Sequence, residues 1–183
     1  MKYEIKNTLD ELLKKEELLP EDIPSLDLYM DQIITLFESK FGNADSDEKV
    51  ITKTMINNYS KAKMINPIKG KTYSRERIMQ ILMIYIMKNS LTMQEMKAVM
   101  QMMYDVEHLG EEGFVRVYRK YLEFKENEKD VFPTMINDLL PSIEDEKIED
   151  VFVTLLCVCA MSEQLNNLAN QLVSKHFDVS SDK

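Results

Sequence analysis

The sequence predicts an all-α protein with room for one small hairpin, and three observations carry that expectation. Four Gly and five Pro in 183 residues are too few for the many tight turns of an all-β chain. Leu, Ile, Lys and Glu are abundant beside fourteen Met, and there is no Trp; these are helix-favouring residues. Apolar positions recur at spacings of three and four along most of the chain. The length suits one domain, or one with an appendage, able to bury roughly 70% of its unfolded surface.

The elements follow in order. Residues 1–25 hold a helix with Leu9, Leu12 and Leu13 on one face, ending before Pro20, and then an irregular link to Pro24. Asp27–Phe41 is predicted helical, with Leu28, Ile33, Leu36 and Phe37 on its stripe. GNADSDEK, residues 42–49, is a polar loop. In VITKTMINNYSKAKMI, Thr52 or Thr54 caps a helix that turns Met55, Ile56 and Tyr59 inward, although VITKT also suits a short strand. NPIKGKTYS, with Pro67 and Gly70, reads as a hairpin-like turn, and Ser74 as an N-cap. RERIMQILMIYIMKN is apolar on nearly every face and so predicts a central buried helix. An amphipathic helix over Leu91–Tyr104 follows.

Beyond Gly110 and Gly113, which are read as breaks, a helix is expected over Phe114–Lys125. Pro133 and Pro141 punctuate an acidic stretch before a last helix of about Ile143–Phe177. These helices are expected to form a bundle whose core takes Phe114, Tyr118, Tyr121, Phe124, Phe132 and Phe152, with the methionines as plastic filling. Residues 179–183 are read as a disordered tail. The organisation expected is therefore 1–25 as an extension, 26–104 as the functional domain and 105–178 as the bundle.

The N-terminus has no signal core and no transit pattern. The longest apolar run, Val151–Met161, falls far short of the ~20 residues of a membrane span. A cytoplasmic protein without membrane contact is expected. Cys157 and Cys159 point about 200° apart on a helix, cannot pair with each other, and read as small buried hydrophobes. The two histidines, His108 and His176, are far apart, and Asp105 with Glu107 is a weak metal pattern. There is no Gly-rich phosphate loop and no nucleophile elbow. The acids at 144–146 and at Glu149–Asp150 read as a solvated helix start. No catalytic residue, metal or cofactor is expected, so the chain is read as a non-enzyme.

The net charge of −9 would argue against nucleic acid if it were evenly spread. It is not. Lys49, Lys53, Lys61, Lys63, Lys69, Lys71, Arg75 and Arg77 face a single acid, Glu76, so the window from 49 to 77 carries +7. The other 15 basic and 31 acidic residues leave −16 elsewhere. A short helix, a loop, a helix of basic and amide residues, a basic turn and a buried helix form the order of a winged helix-turn-helix. Lys53, Thr54, Asn57, Asn58 and Lys61 suit groove edges and phosphates.

Here the chain resembles the MerR-like winged-helix DNA-binding family. MINNYSKAKMINP stands for that family's second helix, with Tyr59 and Pro67 at the family's separation and Met64-Ile65 for its Leu pair. Lys71 falls at the wing Arg ahead of Tyr73-Ser74, and LTMQEMK at the later F-S-L-x-E-I-K motif. The likeness covers about residues 28–100. Asn57 replaces the family's backbone-contacting Arg, Asn58 its first Tyr, and Lys63 the Gly before the Leu pair. LYMDQIITLFE, TKTMINNY and KTYSRERI also resemble a bacterial family of unknown function from the low-GC Gram-positive lineage.

The resemblance implies a transcriptional regulator binding double-stranded DNA. Its recognition helix, about Thr52–Lys63, would enter the major groove, while Lys69, Lys71, Arg75 and Arg77 hold phosphates. As a homodimer it would read half-sites about one helical turn apart; no small-molecule effector can be named. The alternative is a helical protein-interaction or adaptor module that keeps the shape without binding DNA.

Overall fold

The computed structural model describes residues 2–43, 49–67, 70–106, 109–140 and 147–179. The fold is mostly helical, as expected. The described residues form α1 (Lys2–Leu13), α2 (Met30–Phe41), α3 (Lys53–Lys61), α4 (Arg75–Met87), α5 (Met93–Asp105), α6 (Gly110–Leu139) and α7 (Ile148–His176). A 3-10 turn spans Pro20–Asp22. Two two-residue strands, β1 (Leu28–Tyr29) and β2 (Thr72–Tyr73), pair antiparallel with Leu28 opposite Tyr73.

The chain divides into two compact units: Met1–Lys15 with Lys120–Leu168, and Glu16–Arg119 with Ala169–Lys183. The second holds nearly all of the core. Its centre is α4, where Ile78, Met79, Ile81, Leu82 and Ile84 are fully buried, so the expectation of a central buried helix holds. Ile33 and Phe37 of α2 and Ile56 and Tyr59 of α3 are also buried. Phe37 meets Phe41 and Tyr85 edge-on, each with ring centroids 5.8 Å apart. Thr92 caps α5: its Oγ1 accepts the Glu95 N–H at 3.3 Å and Glu95 Oε2 accepts the Thr92 N–H at 2.8 Å, two end groups satisfied reciprocally.

A continuous α6, whose residues belong in part to each unit, replaces the expected breaks. Gly110, at φ +40°, starts the helix. Gly113 lies one turn in, where a Cβ would come within 2.8 Å of Leu109 Cδ1, so this glycine is a close approach and not a stop. Pro133 sits inside the helix; its missing N–H costs one bond, and the helix continues on both sides.

The expected C-terminal core is also corrected. Phe114 and Tyr118 are buried, but Phe124 is 58% and Phe152 59% exposed. Cys157 is half-buried and Cys159 exposed, against the buried pair expected. Among the methionines, Met79, Met96 and Met100 are core, whereas Met93 and Met102 are exposed. Apolar periodicity marks a face that needs covering and does not say by what. No helix among the described residues is long and apolar enough to cross a membrane.

Candidate nucleic-acid interface

The site is built on α3. Of the two threonines considered for its cap, Thr52 takes the role: its Oγ1 accepts the Met55 N–H at 3.2 Å. The strand alternative for residues 50–54 is not what forms, because Val50 and Ile51 are buried ahead of the cap. Val50 is pinned on both sides, its N–H donating to Glu38 Oε1 at 2.9 Å and its carbonyl accepting from Lys88 Nζ at 3.0 Å. Helix α2 and the end of α4 thereby set where α3 starts.

At the other end, the Met64 N–H reaches back to the Tyr59 carbonyl at 2.9 Å and the Lys63 N–H to the Ser60 carbonyl at 3.1 Å. Lys63 takes φ +59°. This is a Schellman stop with a non-glycine residue in the left-handed position. α3 is therefore shorter than the expected Thr52–Lys63.

With Ile56 and Tyr59 facing the core, Lys53, Thr54, Asn57, Asn58 and Lys61 are all exposed. At about 100° per residue they occupy one sector of roughly 140°. No acid lies on α3 itself. Lys53 Nζ meets Asp31 Oδ1 of α2 at 2.7 Å, with both side chains largely in solvent. Such an exposed pair is worth little and competes weakly with a phosphate.

The turn after α3 differs from a self-contained hairpin. Its strand β2 pairs with β1, far back in sequence, and Thr72 Oγ1 donates to Asp27 Oδ2 at 3.3 Å. Residues 64–67 are held from α4 and α5. The Asn66 N–H donates to Gln80 Oε1 at 3.0 Å, and Asn66 Nδ2 and Gln80 Nε2 both donate to Glu76 Oε1, at 2.8 and 3.2 Å. Tyr104 OH donates to the Met64 carbonyl. Arg77 donates through Nε to the Asn66 carbonyl at 3.2 Å, through Nη2 to the Pro67 carbonyl and through Nη1 to Ser74 Oγ at 3.1 Å. Arg75 donates to the Pro20 carbonyl at 2.7 Å and pairs with Glu111 at 3.3 Å. Ser74 stands at the N-cap of α4 without a side-chain capping bond.

Of the residues singled out in the sequence, five thus share the outer face of α3. Lys71 is exposed beside Gly70, which needs its φ of +85°. Arg75 and Arg77 are occupied by partners within the chain. Lys69 lies outside the described residues, as do Glu107, His108 and the acids at 144–146. Gln80, Glu38, Lys88 and Tyr104 were not anticipated. Gln80 had a signal: it is the one amide inside an otherwise apolar run, and it is fully buried. Burial raises the phenol pKa of Tyr59, of Tyr73 and of Tyr104, where Glu76 adds to the effect. All three are neutral walls of the site. Among the described residues, no group of three or more His, Cys, Asp or Glu could hold a metal ion.

A basic, amide-bearing helix on a compact helical scaffold defines the class of the site. The chain belongs to the family described as a domain of unknown function, DUF1836, whose profile matches residues 18–122. That stretch includes α2 to α5, both strands and the start of α6. No curated protein and no solved structure matches the chain.

Proposed function

We propose that the chain is a non-catalytic DNA-binding transcriptional regulator of MerR-like winged-helix type, acting in the cytoplasm of a bacterium on double-stranded DNA, with residues 26–104 as its reading part. The observation that carries this is the shared exposed face of α3. Asn57 and Asn58 offer bidentate amides for adenine edges, and Thr54 a hydroxyl. Lys53 and Lys61 on the helix and Lys71 beyond it supply phosphate contacts, which fix register without reading sequence. Arg77 braces the turn that carries Lys71, while Arg75 is taken up by the Pro20 carbonyl and Glu111. The acidic remainder faces away from DNA, and two copies read half-sites about one helical turn apart.

Selection from a random duplex library tests the reading. An enriched motif is expected, with Asn57→Ala losing about 1–3 kcal/mol of discrimination at one base pair. An unenriched pool with no retained DNA would sink it.

One observation favours a second reading, that of an adaptor. Both arginines of the basic window already spend donors inside the chain, which lowers the charge left for a polyanion. On that reading the same face meets an acidic protein, and the selection retains no DNA.

A further inference from the structure

Among the described residues of 16–119, Tyr29 is the one aromatic side chain left exposed, at 58%, while every other Tyr and Phe there is buried or half-buried. A single exposed apolar residue is ordinary, so what matters is how this one is held and where. Successive residues of a strand point to opposite faces, and residues opposite one another in an antiparallel pair share a face. Leu28 lies opposite Tyr73, which is buried, so that pair turns inward. Tyr29 lies opposite Thr72 and turns outward with it. Tyr29 is also the N-cap of α2, where its N–H donates to Gln32 Oε1 at 2.9 Å. Thr72 is tied in turn to Asp27. Strand pairing and helix cap thus fix the Tyr29 backbone before any partner arrives, which lowers the ordering cost of a contact.

Its neighbours connect it to the two ends of the basic window. Thr72, across the strand pair, directly follows Lys71, which is exposed. Two residues beyond Tyr29, Asp31 Oδ1 meets Lys53 Nζ at 2.7 Å, so the start of α2 lies against the start of α3. Tyr29 therefore stands beside both Lys53 and Lys71, although it lies outside residues 49–77 and adds nothing to the charge count. Its chemistry suits that place. A tyrosine joins a flat apolar ring to an O–H donor, and it is among the uncharged side chains that bond phosphate oxygens and sugars of a duplex.

We infer that Tyr29 is an uncharged contact to the backbone of a bound duplex: its hydroxyl donates to a phosphate oxygen alongside those held by Lys53 and Lys71, and its ring rests on the adjoining sugar. This rests on the DNA-binding reading above and deepens it, because β1 and the start of α2 then join α3 and the turn after it in one surface. A neutral contact of this kind leaves its own signature. It strengthens binding without displacing a counterion, whereas each lysine contact displaces about one.

Binding of the full chain to random duplex DNA across a salt series tests this, with the wild type, Tyr29→Phe and Tyr29→Ala side by side. Tyr29→Phe keeps the ring and the fold but loses the donor to a charged oxygen, and is expected to bind roughly tenfold more weakly at every salt concentration. Tyr29→Ala, which also loses the ring, is expected to bind more weakly still. The plots of log affinity against log salt should stay parallel for all three proteins, because no charge has been removed. If the wild type binds and Tyr29→Phe binds equally well, this inference alone fails. A slope that falls by about one in either variant would show Tyr29 acting only by holding a lysine in place, and would overturn the contact too. A wild type that binds no duplex at low salt would overturn the DNA-binding reading and this inference with it.

Discussion

Phe37 and Phe124 are the same residue on two amphipathic helices, and they have opposite fates. Phe37 on α2 is fully buried between Phe41 and Tyr85, while Phe124 on α6 is 58% exposed. The region around Phe37, residues 16–119, packs its own apolar faces and holds a polar helix outward. The region around Phe124, residues 120–168, presents its apolar faces to solvent. Both helices are amphipathic with the same helical period. The difference is that α4 supplies a buried helix for its neighbours to close around, and no such buried helix sits among the described residues of 120–168.

The largest expected effect separates the two regions directly. Phe37→Ala should cost about 3–5 kcal/mol in denaturant unfolding, the usual loss for a buried aromatic, at every protein concentration. Phe124→Ala should cost far less, because a ring that is 58% exposed has little buried apolar contact to lose. A Phe124→Ala effect as large as that of Phe37→Ala would break the comparison.

Next in size is the polar clamp that holds the turn after α3. Gln80→Leu leaves the Asn66 N–H without its acceptor and should cost about 1–3 kcal/mol, with faster amide exchange confined to residues near Asn66. Exchange that rises evenly over the whole region would show Gln80 acting as core filling only.

The smallest effect concerns the end of α3. Lys63 pays for a left-handed backbone at φ +59°, a conformation costing about 1–2 kcal/mol for a residue with a side chain. Lys63→Gly should therefore stabilise the protein by up to about 1 kcal/mol, after the greater unfolded-state entropy of glycine is subtracted. A loss of stability would mean that the Lys63 side chain makes a favourable contribution of its own.

Much of the better-packed region was legible in the sequence. The largely apolar run at 75–87 announced a buried helix, spacing narrowed the cap to Thr52 or Thr54 and turned Ile56 and Tyr59 inward, and α3's polar residues fell on one face as their numbers require. The pairing of Thr72–Tyr73 with Leu28–Tyr29 was not legible, since two-residue strands distant in sequence carry no local pattern. Nor was the diversion of Arg75 and Arg77 to carbonyl oxygens: charge counting cannot say which guanidinium is already occupied. In α6 and α7, period gave the helices but misjudged their cover, because a stripe marks an apolar face without saying whether the chain itself covers it.

The central claim is that the outer face of α3 and the turn after it meet DNA phosphates. The most direct test is the salt dependence of binding to random duplex DNA, comparing the wild type with Lys71→Ala. The log affinity should fall linearly with log salt at about −0.9 per phosphate contact, and Lys71→Ala should reduce that slope by about one. Undetectable binding at low salt, or a slope that Lys71→Ala leaves unchanged, would contradict it.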